Sequence, residues 1–285
     1  MSVIGAVIGT DHMSVGEIVE LAQRYETIGH RELWIPEFFG REQMVLASHL
    51  LANTDTVGVT TGISNVYVRD AMSAAQAAHT LNEMFDGRFT LGLGVSHPFG
   101  AEMRGHEWVP PVEKITSYIT DIRAAREKLR GPKDESPILM AAHGPKMLAA
   151  AGAVADGANT YLMPPEHTAD ARSIVGPDTL LTVTLPCCLS IDPGAARAVA
   201  RKALSMYLPL PAYQRAWTRW GLGDDMVGGG TDRLIDSAVA WGDAAAIRRR
   251  MGEHLDAGAD QIAVIPYNPV PRAGVPWDLL EAVAN

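Results

Sequence analysis

The sequence predicts a parallel α/β barrel of the TIM type, (β/α)8, and three observations carry that expectation. Eight short apolar runs alternate with helical patterns, without a break, along 285 residues. The runs are nearly continuous in Val, Ile and Leu, as parallel strands covered on both faces are. An open doubly wound sheet would place a Gly-x-Gly-x-x-Gly turn after its first strand, and that stretch reads Gly9-Thr10-Asp11-His12 instead.

Val3–Ile8 is the first strand; Gly16–Ile28 follows with Ile18, Leu21, Ala22 and Tyr25 at helical spacing, ended by Gly29. Glu32–Phe38 is the second strand and Glu42–Asn53 its helix. Val57–Ser64 is β-branched and apolar, a third strand, followed by the helix Ala71–Phe85. Phe89–Ser96 and Val112–Leu129 form the fourth unit, and Pro137–Ala142 and Lys146–Ala155 the fifth. Gly157–Leu162 with Pro165–Val175 is the sixth, and Leu180–Ser190 the seventh strand. Residues 191–260 then hold four helical patterns before the last strand, Gln261–Pro266, and the last helix, Trp277–Ala284. We read one domain over 1–285, with 191–260 a helical insertion between strands 7 and 8 that is long enough to act as a lid.

Composition narrows the function. Twenty-four Lys and Arg against 33 Asp and Glu give a net charge of −9, and aromatics are 6%. Neither suits a nucleic-acid surface or an anionic membrane. No run approaches the length of a membrane span and the start lacks a basic leader, so a cytoplasmic protein is expected. Cys187 and Cys188 are adjacent, which excludes a disulfide framework; they read as two buried thiols, the alternative being a vicinal disulfide. His12, His30, His49, His79, His106, His167 and His254 are scattered, without metal-ligand spacing, and no metal is expected.

A barrel of this kind does its chemistry at the carboxyl ends of its strands. Four of those ends carry residues that a purely structural barrel does not need. Glu37 closes the second strand, either paired to an arginine such as Arg69 or facing a pocket walled by Phe38 and Phe39. Gly62 near the end of the third suggests a bulge or a close backbone approach. Gly92 and Gly94 in the fourth would let a flat ring lie on the backbone, or simply suit a crowded layer; His97 follows in the loop. After the fifth strand, His143-Gly144-Pro145-Lys146-Met147 opens a helix whose free N–H groups and lysine favour a phosphate.

These segments resemble the bacterial luciferase-like superfamily, a barrel family of flavin and deazaflavin enzymes. The matching motifs are Glu37, Arg69, the helix Ala77–Met84, the run Gly87–Ser96, and Gly144–Met147 with Ala155-Asp156-Gly157-Ala158. Within the superfamily, Pro164–Thr168, Gly229–Leu234 and Ala240–Asp243 look like an actinobacterial branch of oxidoreductases that use coenzyme F420. The resemblance implies a deazaflavin in the barrel mouth. It implies a non-proline cis peptide at Gly62-Ile63 or Ile63-Ser64 behind the ring, and backbone from Gly94, Ser96 and Tyr161–Met163 near the cofactor. It also implies that the cofactor's phosphate tail meets Ala142, His143, Gly144, Pro145, Lys146 and Met147.

Relatives that use flavin carry Glu-His-His after the second strand, where this chain has Glu37-Phe38-Phe39. The sugar-phosphate dehydrogenase pattern of strand-2 histidine and tryptophan with a strand-4 glutamate is also missing. The expectation is hydride transfer between deazaflavin C5 and a small unsaturated molecule, with Glu37, His97 or a water as proton donor and Phe38, Phe39, Phe99 and Trp108 lining the substrate side. An FMN-dependent monooxygenase and a non-catalytic deazaflavin binder are the alternatives. The resemblance also suggests a homodimer, with the alanine-rich helix Ala71–Met84 available for close packing.

Overall fold

The computed structural model describes residues 3–131, 136–270 and 273–284. The elements follow the expected alternation: β1 (Val3–Val7), α1 (Val15–Thr27), β2 (Glu32–Ile35), α2 (Gln43–Ala52), β3 (Gly58–Thr61), β4 (Ser64–Asn65), α3 (Ala71–Met84), β5 (Phe89–Gly94), α4 (Pro98–Glu102), α5 (Pro111–Arg126), β6 (Ile138–Ala141), α6 (Pro145–Val154), β7 (Gly157–Tyr161) and α7 (Pro165–Val175). Then come β8 (Leu180–Leu189), α8 (Pro193–Leu204), α9 (Pro211–Arg219), a 3-10 turn at Gly223–Gly229, α10 (Asp232–Ala238), β9 (Ala240–Gly242), α11 (Ala244–Asp256), β10 (Gln261–Tyr267) and α12 (Trp277–Val283). No helix among the described residues is long and apolar enough to cross a membrane.

Two compact units divide the chain: an N-terminal one of Val7–Ala142 and Lys146–Ala158, and a C-terminal one of Met1–Ala6, His143–Pro145 and Asn159–Asn285. In the N-terminal unit, β2, β3, β5 and β6 pair in parallel in that order. Leu33, Trp34, Ile35, Val59, Phe89, Leu91 and Leu93 are buried along these strands. Helix α3 packs on α5, and its alanines Ala74, Ala75 and Ala78 are buried within the chain. In the C-terminal unit, β1 pairs with β10, β10 with β8, and β8 with β9, all in parallel. Its apolar core includes Val183, Leu185, Ile247, Ile262, Val264 and Leu279.

Three departures from the sequence reading have local causes. The second strand stops at Ile35 rather than Phe38, because Pro36 has no N–H to continue a ladder. The third breaks after Thr61, where the Gly62–Ile63 peptide is cis, and resumes as β4 beside Leu93 and Gly94 of β5. The segment 191–260 is not wholly helical: Ala240–Gly242 pairs with Cys187–Leu189. Three residues are too few to show a strand period, and Asp243, whose carboxylate accepts from the Ala246 N–H at 2.8 Å, starts the next helix at once.

Several resemblance motifs hold the fold itself. Arg88 donates to the carbonyls of Leu51 (2.8 Å) and Val57 (2.9 Å), tying the end of α2 to the entry of β3. Asp156 accepts from the Ile138 N–H at 2.8 Å and pairs with Arg123 at 2.9 Å. In the C-terminal unit Arg172 donates to the carbonyls of Gly258 (2.9 Å) and Thr179 (2.7 Å). Cys187 and Cys188 are free buried thiols.

At the start of β2, Glu32 is desolvated, with the Thr60 hydroxyl as its hydrogen-bond partner among the described residues, and burial raises its pKa from 4.5 to about 7. A carboxyl raised in this way keeps its proton in the folded state while the unfolded chain releases it. Stability contributed here is full below about pH 4.5 and is lost as pH rises towards 7. Glu32→Gln should therefore be neutral at pH 4.5 and stabilising by about 1–3 kcal/mol at pH 8 in urea unfolding; an equal effect at both pH values would refute the assignment.

Candidate active site

In the N-terminal unit, one guanidinium organises the ends of β2 and β4. Arg69 Nη1 lies 2.7 Å from Glu37 Oε1, and the two side chains are only 11% and 3% exposed. Its Nη2 pairs with Glu42, the N-cap of α2, whose carboxylate accepts from the Val45 N–H at 2.8 Å. Glu37 also accepts from the Asn65 N–H at 2.8 Å and from the Ser64 hydroxyl at 3.4 Å. The two readings left open by the sequence meet here: Glu37 is paired to Arg69 and also lines a cavity with Phe38 and Phe39.

The segment between Glu37 and Glu42 is pinned at both ends. Within it Gly40 donates to Asp11 at 3.2 Å, and Arg41 donates to the carbonyls of Thr10 (2.5 Å) and Met13. Phe38 and Phe39 therefore stay out of the core, 46% and 66% exposed. They line a cavity of about 390 Å3 with Val68, Arg41, Met103 and Arg104, beside the Glu37–Arg69–Glu42 cluster. Phe99 and Trp108 are not among its lining residues. Phe99 is half exposed on α4, and Trp108 stacks on Tyr67 at 5.6 Å.

The glycines at these strand ends divide into two kinds. A Cβ on Gly92 would meet the Thr61 carbonyl oxygen at 2.1 Å, and the Thr61 hydroxyl bonds both the N–H and the C=O of Gly92 at 2.8 Å. A Cβ on Gly94 would meet the Ile63 side chain at 2.8 Å, and one on Gly62 the Trp34 ring at 2.9 Å. These three serve close approach of protein to protein, the crowded-layer alternative that the sequence left open for Gly92 and Gly94. Gly144 is different: nothing lies within 4 Å of where its Cβ would be.

Gln43, which the sequence reading passed over, is buried at the start of α2; its Nε2 donates to the Ile35 carbonyl at 2.7 Å and reaches that of Ile63 at 3.5 Å. It ties the end of β2 to the cis peptide. Past β5, Ser96 has φ +57°, an uncommon conformation for a residue with a side chain. His97 is the N-cap residue of α4, and burial lowers its pKa, so its imidazole is neutral near pH 7. Beyond β6, Ala142 is buried, Met147 is half-buried, and Lys146 is exposed in the first turn of α6 without an ion pair to any described residue.

In the C-terminal unit the turn His143-Gly144-Pro145 is held by His167 of α7, whose Nε2 lies 2.8 Å from the His143 carbonyl oxygen. A carbonyl only accepts, so this nitrogen carries the proton. At the end of β7, Tyr161 forms an aromatic cluster with Tyr207 (5.2 Å between centroids), while Tyr213 lies 5.0 Å from both Tyr207 and His143. Burial raises the pKa of Tyr161, Tyr207, Tyr213 and Tyr267, keeping all four hydroxyls protonated at neutral pH. Leu162 is held at φ +59° with its carbonyl accepting from Trp217 Nε1 at 3.0 Å. The Met163 side chain is packed in the apolar cluster of Leu204, Trp217 and Leu234, leaving its backbone for any ligand. Only Tyr161 of this cluster was named from sequence; the other three tyrosines carry no motif, and folding alone brings them together.

Two contrasts test this geometry. Gly92→Ala should destabilise by about 2 kcal/mol or more in urea unfolding, since it overpacks against backbone, whereas Gly144→Ala should stay within about 0.5 kcal/mol. Glu37→Gln should cost about 3 kcal/mol, because it breaks a buried pair, and Glu42→Gln, at the half-exposed end, under about 1 kcal/mol. Equal small losses from the two glutamates would show that the buried pair is not the anchor.

Comparison with known proteins places this geometry. The model of the luciferase-like monooxygenase family matches residues 2–261. The 5,10-methylenetetrahydromethanopterin reductase of Methanolobus tindarius is 27% identical, over 89% of this chain and 91% of its own length. Among solved structures, an F420-dependent secondary alcohol dehydrogenase in complex with an F420-acetone adduct superposes with a TM-score of 0.79, at 16% identity over 94% of each chain. The oxygenating constituent of 3,6-diketocamphane monooxygenase from Pseudomonas putida, in complex with FMN, does so with a TM-score of 0.73, at 12% identity over 100% of this chain and 98% of that one. The structural likenesses show the fold, which is the (β/α)8 barrel. The chain belongs to the luciferase-like monooxygenase family.

Proposed function

We propose that this chain is an oxidoreductase that uses coenzyme F420 to reduce, or in reverse to oxidise, a small organic molecule. The observation that carries the reading is the match to the methanopterin reductase along nearly the whole of both chains. The F420-bound alcohol dehydrogenase of the same fold supports it.

The residues present fit such a cofactor. The His143–Met147 turn offers an open glycine and an unpaired lysine at the start of a ten-residue helix. A phosphodiester tail is what that combination of free N–H groups and charge favours. Reduced deazaflavin supplies a hydride from C5 and reacts poorly with oxygen, so the protein's tasks are to orient the partners and exclude water. In this reading Gly62, Ile63, Ser64, Gly94 and Ser96 of the N-terminal unit support the ring, and Phe38 and Phe39 receive the substrate.

The proton required alongside a hydride is assigned by elimination of the first candidates. Glu37 is held by Arg69 and is a positioning residue for the β2 and β4 ends. His97, neutral near pH 7, can accept a proton but does not hold one ready to give. A water, the third candidate offered by the sequence, is the donor that this reading retains. A cytoplasmic homodimer completes the reading, with light scattering as its check: a mass of twice 30.6 kDa is expected.

Fluorescence titration with oxidised F420 and, separately, with FMN decides the cofactor. F420 should bind with a micromolar Kd, about −8 kcal/mol, and FMN far more weakly. Lys146→Ala should weaken F420 binding by about fivefold. Binding of FMN but not F420, with oxygen uptake in the presence of reduced FMN, would replace this reading with the monooxygenase one. Tight F420 binding without turnover on any enone, imine or ketone would leave a non-catalytic binder.

A further inference from the structure

The cavity of the N-terminal unit has an uneven lining. Its apolar wall is Phe38, Phe39 and Met103, and the exposure of the last two, 66% and 67%, is that of surface charged residues. Three large apolar side chains left partly in water forgo a share of the roughly 1.5–3 kcal/mol that full burial brings each, which an apolar ligand would recover. The charged part consists of three guanidiniums, Arg41, Arg69 and Arg104, against two carboxylates, Glu37 and Glu42.

The two carboxylates are both taken by Arg69. Arg41 donates to two backbone carbonyls, which hold its position, and it has no ion pair to any described residue. Arg104 has neither a hydrogen bond nor an ion pair through its side chain to any described residue, although Glu102 and Glu107 flank it in sequence. Its backbone, in contrast, is fixed: the Arg104 N–H donates to Ala101 at 3.0 Å and the Met103 N–H to Phe99 at 3.0 Å. A rigid turn therefore presents a free guanidinium at the edge of an apolar wall. In a chain with a net charge of −9, this site carries a local excess of positive charge.

We propose that this cavity selects a substrate with an apolar, aromatic-sized body and an oxyanion, a carboxylate or phosphate, held by Arg104. The proposal rests on the oxidoreductase reading for what happens to the substrate, but the recognition itself does not need the cofactor. About 390 Å3 suits one substituted ring with a short side chain. A planar carboxylate matches the guanidinium fork, and a phosphate matches it equally well.

The test uses matched probes on the intact protein. Benzalacetone, its para-carboxylate and its para-phosphate are hydride acceptors differing only in the anion. In the absence of F420 no hydride is available, so calorimetry with these probes and their saturated ketones measures recognition alone. In the wild type the anionic ketones should bind at least tenfold more tightly than the neutral one, the advantage shrinking with added salt. Arg104→Ala should remove most of that advantage, Arg104→Glu should invert it, and Arg104→Lys should keep part of it for phosphate. Phe39→Ala should weaken all three probes alike. Arg104 is exposed, so thermal unfolding and the F420 Kd should be unchanged in its variants.

The proposal is overturned if the wild type shows no anion preference, if no probe binds below millimolar concentration, or if the preference survives Arg104→Glu. An anion preference that depends on Arg104 in a protein that fails to bind F420 would uphold this inference and sink the cofactor reading. Carboxylate favoured over phosphate, or the reverse, identifies which oxyanion the site was built for.

Discussion

The mouth of the N-terminal unit rests on one shared cation. Arg69 neutralises a nearly dry carboxylate on one side and a half-exposed one on the other. Removing either buried partner leaves a charge without solvent, which is why the arrangement behaves as a rivet rather than a contact. Because Glu37 and Glu42 are five residues apart, fixing both on one guanidinium fixes the chain between them. The phenylalanines of that stretch have no path into the core, so a structural ion pair creates an apolar wall. Order at the strand ends and exposure in the cavity are therefore two results of the same electrostatic cause.

Much of the fold was legible because its signals are local. Parallel strands covered on both faces read as short apolar runs, and helix ends carry Ser14, Asp70, Thr231 and Asp243 as caps. What stayed open in the sequence depends on partners distant along the chain. The Gly92 and Gly94 pattern looks the same whether a ligand or a neighbouring strand fills the space, and only the position of Thr61 and Ile63 decides it. The short elements β9 and α4 escaped because three and five residues cannot display a period.

The site was legible in part, for the same reason. Glu37, the Gly62–Ile63 region and the His143–Met147 turn announce themselves through unusual residue types at strand ends. Gln43 and Arg104 do not: a glutamine at a helix start and an arginine in a polar loop are ordinary in sequence. Their significance lies in what surrounds them, a buried carbonyl pair for one and the absence of a counter-ion for the other. The four tyrosines are a third case, drawn from positions 161 to 267. Motifs in this chain report where backbone must be special, whereas side-chain chemistry emerges only on folding.

Cys187 and Cys188 add a property unrelated to catalysis. Both thiols sit inside β8 with their pKa values pushed up by burial, that of Cys188 to about 11, so neither offers a thiolate to a reagent in the folded state. Burial of both thiols predicts slow alkylation of the native protein although it carries two cysteines. Every modification event then marks an opening of β8, which pairs with β10 on one side and β9 on the other. The chain carries its own clock for the unlocking of its C-terminal unit, and a single cysteine placed anywhere on its surface could be labelled against a blank background.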